Sequence, residues 1–132
     1  MKEENKKIII RRWLKRAQED ELNIISILKH RDGTPGIVCF LSQQMAEKCL
    51  KTLLIFFDIE LEKTHDLQKL TFLLKDHTLE IKNINKETTL LNRFYIETRY
   101  VGDFPEFLWS DAEKAYEAVK KVKELVLNKI LK

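Results

Sequence analysis

Glycine and proline are scarce, 3 and 2 among 132 residues. A β-sandwich or barrel needs a turn every few residues, so this scarcity argues against one and for long helices. There are 2 cysteines, Cys39 and Cys49. On one helix they stand about 15 Å apart along the axis, beyond the reach of a disulfide. With no Cys-x-x-Cys pair, and with His30, His65 and His77 scattered along the chain, no zinc ligand set assembles. No metal and no cofactor is expected. The longest apolar runs, such as Leu53 to Phe57, fall far short of the roughly 20 residues of a membrane-spanning helix. The charged N-terminus is unlike a signal peptide, and a cytoplasmic protein is expected. A dominant charge is lacking too: 24 Lys and Arg against 21 Asp and Glu leave +3, too near balance to point to RNA or a membrane as partner.

What is present is 44% hydrophobic and 34% charged residues in a length that suits one domain over residues 1–132. Ile10, Trp13, Leu14, Ala17, Ile24, Ile25 and Leu28 follow the three-and-four spacing of a buried helix face, which predicts helix one over residues 4–30. Its first sixteen residues hold seven Lys/Arg and two Glu, and Glu19, Asp20 and Glu21 come later. That order is the reverse of what the helix dipole favours. Asp32-Gly33-Thr34-Pro35-Gly36 then makes a tight hairpin, with Thr34 as cap and Pro35 at the first helical position.

Helix two carries Val38, Leu41, Met45, Cys49, Thr52, Phe56 and Ile59 on one stripe, widened by Phe40, Leu50, Leu53, Leu54 and Phe57 beyond a single core face. Thr64 is the expected cap of helix three, which runs through Leu67, Leu70, Leu74 and Ile81 to a break at 83–85. Helix four holds Ile84, Leu91 and Tyr95. An irregular stretch from Glu97 to Trp109 leads to a capping box, Ser110 with Glu113, and to a last helix striped by Ala112, Ala115, Tyr116, Val119, Val122, Val126 and Ile130. The fold class is therefore all-α, an up-and-down bundle of four to five helices.

Chemistry concentrates in two places. In the stretch after helix four, Arg99 is suited to a bidentate grip on phosphate, with Tyr95 or Tyr100 to stack on a base. The bland alternative pairs Arg99 with Glu97 or Asp103 and uses the tyrosines as a plug. On helix two, Gln43, Gln44, Glu47, Lys48 and Lys51 form a polar strip whose lysines suit phosphates as point charges. Its plain reading is a solvated face, in which Glu47 and Lys51 are an ordinary i,i+4 pair. His65 and Asp66 are adjacent and do not face each other as base and orienter, and His77 reads as a surface residue.

Arg12-Trp13-Leu14-Lys15-Arg16-Ala17, Cys39-Phe40, Gln43-Gln44-Met45-Ala46-Glu47-Lys48, Thr64-His65-Asp66-Leu67 and Tyr95-Ile96-Glu97-Thr98-Arg99-Tyr100, in that order, resemble the HEPN domain family across nearly the whole chain. The resemblance implies a helical bundle similar to the substrate-binding domain of aminoglycoside nucleotidyltransferases. It further implies a homodimer, a neighbouring minimal nucleotidyltransferase as partner in a toxin–antitoxin-like pair, and nucleotide binding. The breadth of helix two fits a dimer formed through that helix. By matching motifs, the family's conserved polar positions fall on Gln44, Glu47, Lys48, Lys51, His65, Asp66, Arg99 and Tyr100. Ribonucleases of this family carry Arg followed four to six residues later by His. Neither Arg93 nor Arg99 is followed by a histidine, and Arg31 has none at that spacing. The resemblance thus favours a non-catalytic binding module, with no catalytic residue assigned, over a metal-independent ribonuclease toxin or a purely structural assembly domain.

Overall fold

The apolar stripe of the N-terminal segment folds as α1, Glu3–His30, whose inner line buries Ile10, Ala17 and Ile24. In this computed structural model the described residues are 2–97 and 106–131, with only the backbone described at 96 and 97. The hairpin follows where expected, and α2, Pro35–Phe56, starts with proline in its first turn. Thr34 occupies the cap position, but its hydroxyl makes no capping bond. Next come α3 (Leu67–Leu74), a 3₁₀ helix (Leu79–Ile84), α4 (Asn85–Asn92), the single turn α5 (Phe94–Glu97) and α6 (Trp109–Ile130). Among the described residues there is no strand.

The bundle is organised around α2, which packs against α1 on one side, α6 on another, and α3, α4 and α5 on the rest of its girth. Leu50, Leu53 and Leu54 lose all contact with solvent, as do Met45 and Cys49. This corrects the reading of helix two as a dimer surface. Its breadth is used up inside one chain, and Ile37 is its only strongly exposed large apolar residue. Both cysteines lie on α2 and are buried. Helix α6 adds Ala112, Ala115, Val119, Val122 and Val126 to the same core, the stripe read from the sequence.

Two helix ends carry non-glycine residues in the left-handed region, Arg31 (φ 58°) and Asp58 (φ 59°). Such a conformation costs on the order of 1–2 kcal/mol for an L-residue. In each case the side chain ties two helices together, which glycine would not do. Arg31 lies 4.5 Å over the Trp109 ring and 2.6 Å from Glu113, fastening α1 to α6. Asp58 pairs with Lys6 at 3.2 Å, fastening the end of α2 to the start of α1.

Three further boundaries differ from expectation for local reasons. The cap of α3 is Asp66, whose carboxylate accepts from the Gln68 amide at 2.9 Å, and Thr64 accepts from the Asp66 amide at 3.1 Å one step earlier. Helix three stops at Leu74, and Ile81 belongs to the 3₁₀ helix, so the break at 75–78 falls about two helical turns before the predicted one. The last helix begins at Trp109 rather than after Ser110: Asp111, not Glu113, reaches back to the Leu108 amide at 2.8 Å. Leu108 has no side-chain oxygen to complete a reciprocal box.

Candidate functional site

Gln43, Glu47 and Lys51 recur every fourth residue and form one polar line along α2, the helix with the least solvent contact in the bundle. Each is buried. Buried polar groups need partners, and this line finds them on the segment that follows α2. From Glu47 to the end of α2 the helix climbs roughly 14 Å. The chain then turns at Asp58 and returns without regular structure to bring His65 back beside Glu47.

The contacts close into a network. Lys51 Nζ donates to Glu47 Oε2 at 3.0 Å, and Glu47 Oε1 lies 2.8 Å from His65 Nδ1. Gln43 Nε2 donates to the His65 carbonyl at 3.0 Å and its own oxygen accepts from Gln44 Nε2 at 2.7 Å. The side chains of Glu47 and Lys51 are 8% and 10% exposed, while that of His65 is 49% exposed. The imidazole stacks on Tyr95, ring centroids 4.3 Å apart and 14° from parallel, and Tyr95 stacks in turn on Phe40. Lys51 Nζ also sits 5.9 Å from the Trp13 ring centroid, linking the network to α1.

A carboxylate only accepts, so Nδ1 of His65 carries the hydrogen, and in the neutral ring Nε2 presents the lone pair. Among the described residues no hydrogen bond reaches Nε2. The side chain is thus held by a buried carboxylate at one nitrogen and a tyrosine face on one side, with its other nitrogen open. Such a ring can accept a hydrogen bond or a proton from a ligand at a fixed place.

Five of the residues proposed from the sequence therefore meet in one cluster: Gln44, Glu47, Lys51, His65 and Tyr95. Glu47, not Asp66, orients His65. Asp66 is occupied as the α3 cap, with Asn92 bridging its carboxylate (3.0 Å) and the Leu67 amide (2.8 Å). Lys48 lies apart, 2.6 Å from Asp20 on α1. Neither lysine is a free cation. Arg99 and Tyr100 fall in 98–105, outside the described residues. Gln43, left out of the proposed site, is the residue that anchors the His65 backbone. The signal for it was a polar line at i, i+4 and i+8 on a helix whose other positions are apolar.

A second polar cluster, on the α1–α2–α6 side, is a cross-brace. Glu21 takes Lys123 at 2.8 Å and the Tyr116 hydroxyl at 2.9 Å. Burial, then the bond to Glu21, pushes the Tyr116 hydroxyl up to about 12. Burial likewise pushes the Cys49 thiol up to about 12, despite the opposing charge of Lys123. A thiol so placed is unreactive. Among the described residues no group of three His, Cys, Asp or Glu side chains is placed to hold a metal ion, and no helix is long and apolar enough to cross a membrane.

An all-helical bundle with its central helix fastened to a histidine-bearing return segment defines a class of small helical domain, and two comparisons specify it. The HEPN domain family model matches residues 10–130, and the chain belongs to that family. The crystal structure of an archaeal HEPN homologue aligns with a TM-score of 0.73 at 27% identity, covering 92% of this chain and 97% of that one. No curated protein sequence matches significantly.

Proposed function

We propose that the protein is a non-catalytic HEPN-type binding module that takes a nucleotide at the His65 surface. It would act as a homodimer beside a separate minimal nucleotidyltransferase in a toxin–antitoxin-like pair. The observation that carries the reading is the fixed, half-exposed imidazole, whose Nδ1 lies on a buried carboxylate and whose Nε2 has no hydrogen-bond partner among the described residues. A neutral Nε2 accepts from a ribose hydroxyl or a base N–H. The aromatic stack of His65 and Tyr95 gives a base a flat neighbour. Phosphate falls to Arg99, the guanidinium the sequence offers for it. Lys48 and Lys51 would have to leave Asp20 and Glu47 to contribute.

A titration calorimeter tests this with ATP and GTP against wild type, His65→Ala and Arg99→Ala. Saturable binding that both variants lose supports the reading, and no heat with either nucleotide ends it. The same dyad supports a second reading, a metal-independent ribonuclease in which Nε2 takes the 2′-hydroxyl proton as the 2′-oxygen attacks phosphorus and the 5′-oxygen leaves with a proton from an acid. The missing Arg-to-His spacing counts against it. RNA cleavage by wild type that His65→Ala abolishes would favour it over binding, and intact RNA would sink it.

A further inference from the structure

Helix α1 packs along α2 and meets α6 through Glu21 and Arg31, and among the described residues nothing covers its opposite side. The line farthest from the core is Ile8, Arg12, Lys15, Glu19, Leu22 and Ser26, all exposed. It lies opposite the buried line of Ile10, Ala17 and Ile24. Its steps alternate four and three, which keeps all six on one stripe of the helix. Ile8 is 45% exposed and Leu22 60%, with Ile25 beside them at 43%. Single exposed aliphatics are common. Here they sit at both ends of one outward line whose middle is charged, cations on the N-terminal side and an acid on the C-terminal side.

That order is complementary to its own reverse. We propose that the outer line of α1 is the dimer surface, pairing antiparallel with α1 of a second copy about a two-fold axis near Ala17. Lys15 then meets Glu19 of the second copy, and Glu19 meets Lys15 of the second copy, as an isologous interface requires. Ile8 meets Ile25 and Ser26 of the second copy, and the aliphatic stem of Arg12 covers its Leu22. Glu19 is available for this, because among the described residues its one side-chain partner is Arg16 on the same helix, an exposed pair at 3.3 Å. No described ion pair engages Arg12 or Lys15. Of the three acids that follow the cations along helix one, Asp20 and Glu21 are held inside the chain by Lys48, Lys123 and Tyr116, and Glu19 is the one placed for a partner helix. The inference rests on the homodimer of the proposed function and replaces α2 with α1 as its surface.

Light scattering and sedimentation equilibrium on the full chain, from low to high micromolar protein, test it. Wild type is a dimer. Lys15→Glu and Glu19→Lys each weaken the dimer at least about tenfold by opposing like charges. The double variant Lys15→Glu/Glu19→Lys restores it to within a fewfold of wild type, because both pairs re-form with reversed sign. Helical circular dichroism of all three stays at the wild-type level, since both residues are exposed. A dimer indifferent to the single changes, or a double variant as weak as the singles, overturns the α1 surface and leaves the homodimer standing. A wild-type monomer throughout overturns both, while nucleotide binding is judged separately by calorimetry. Should the wild-type monomer instead bind an acidic partner through the same cations, this proposal also fails.

Discussion

Two pairs of Glu with a basic residue, both within one helical turn, behave oppositely in this molecule. Glu47 and Lys51 on α2 are nearly dry, close a network and hold His65. Arg16 and Glu19 on α1 are 74% and 49% exposed and hold nothing else. The residue types and the helical spacing hardly differ. What differs is the neighbourhood: α2 is wrapped by other helices, so its polar line must be satisfied internally, whereas the outer face of α1 has water to satisfy it. A charged pair is thus a structural fixture in one place and, within the single chain, a solvent-facing pair in the other.

The largest expected effect comes from breaking the inner pair. Glu47→Ala leaves Lys51 as a buried, unpaired cation and frees the imidazole, and should cost about 3 kcal/mol of stability in urea denaturation. Glu47→Gln, which keeps an acceptor for Nδ1, should fall between. A loss below about 1 kcal/mol for the alanine variant would mean the inner pair behaves like a surface pair. One step down, Asp66→Ala removes the α3 cap and the Asn92 bridge beside the site, and should cost about 1–2 kcal/mol. The outer pair should barely register: Arg16→Ala is expected to change stability by less than about 0.5 kcal/mol.

The smallest effect sharpens the comparison by pH. Glu80, an exposed residue, has its carboxyl held at about 2 instead of 4.5, first by the Thr78 hydroxyl, then by its own backbone amide and by Lys129. A carboxylate with a lower value folded than unfolded adds stability above 4.5, lost as pH falls from 4.5 towards 2. Glu80→Gln should therefore lower the melting temperature slightly near neutrality, converge on wild type as pH falls towards 2, and make the melting temperature less dependent on pH in that window. A larger acid loss in the variant than in wild type would contradict the sign.

The helices were largely legible because their signals are local. The stripe from Ile10 to Leu28 marks α1 to within a residue at its start, and Pro35 marks the start of α2. Ends decided by competing caps were less so: Asp66 outcompetes Thr64, and Asp111 outcompetes Glu113. The site was legible as a set of residues and illegible as a geometry. Glu47 and His65 meet because the chain reverses at Asp58 and runs back along α2, a long-range event that no periodicity encodes. The two-sided apolar pattern of helix two was correctly read as unusual burial, but a pattern cannot say whether the covering helices come from the same chain. Here they do.

We propose that His65, fixed by Glu47, contacts the nucleotide bound by this HEPN domain. Titration calorimetry of wild type and His65→Ala with ATP and GTP tests it most directly, because His65 is exposed at the site and its removal leaves the core intact. The account predicts saturable binding by wild type that His65→Ala abolishes while its melting temperature stays near wild type. Binding of equal affinity in both proteins, or none in wild type, would contradict it.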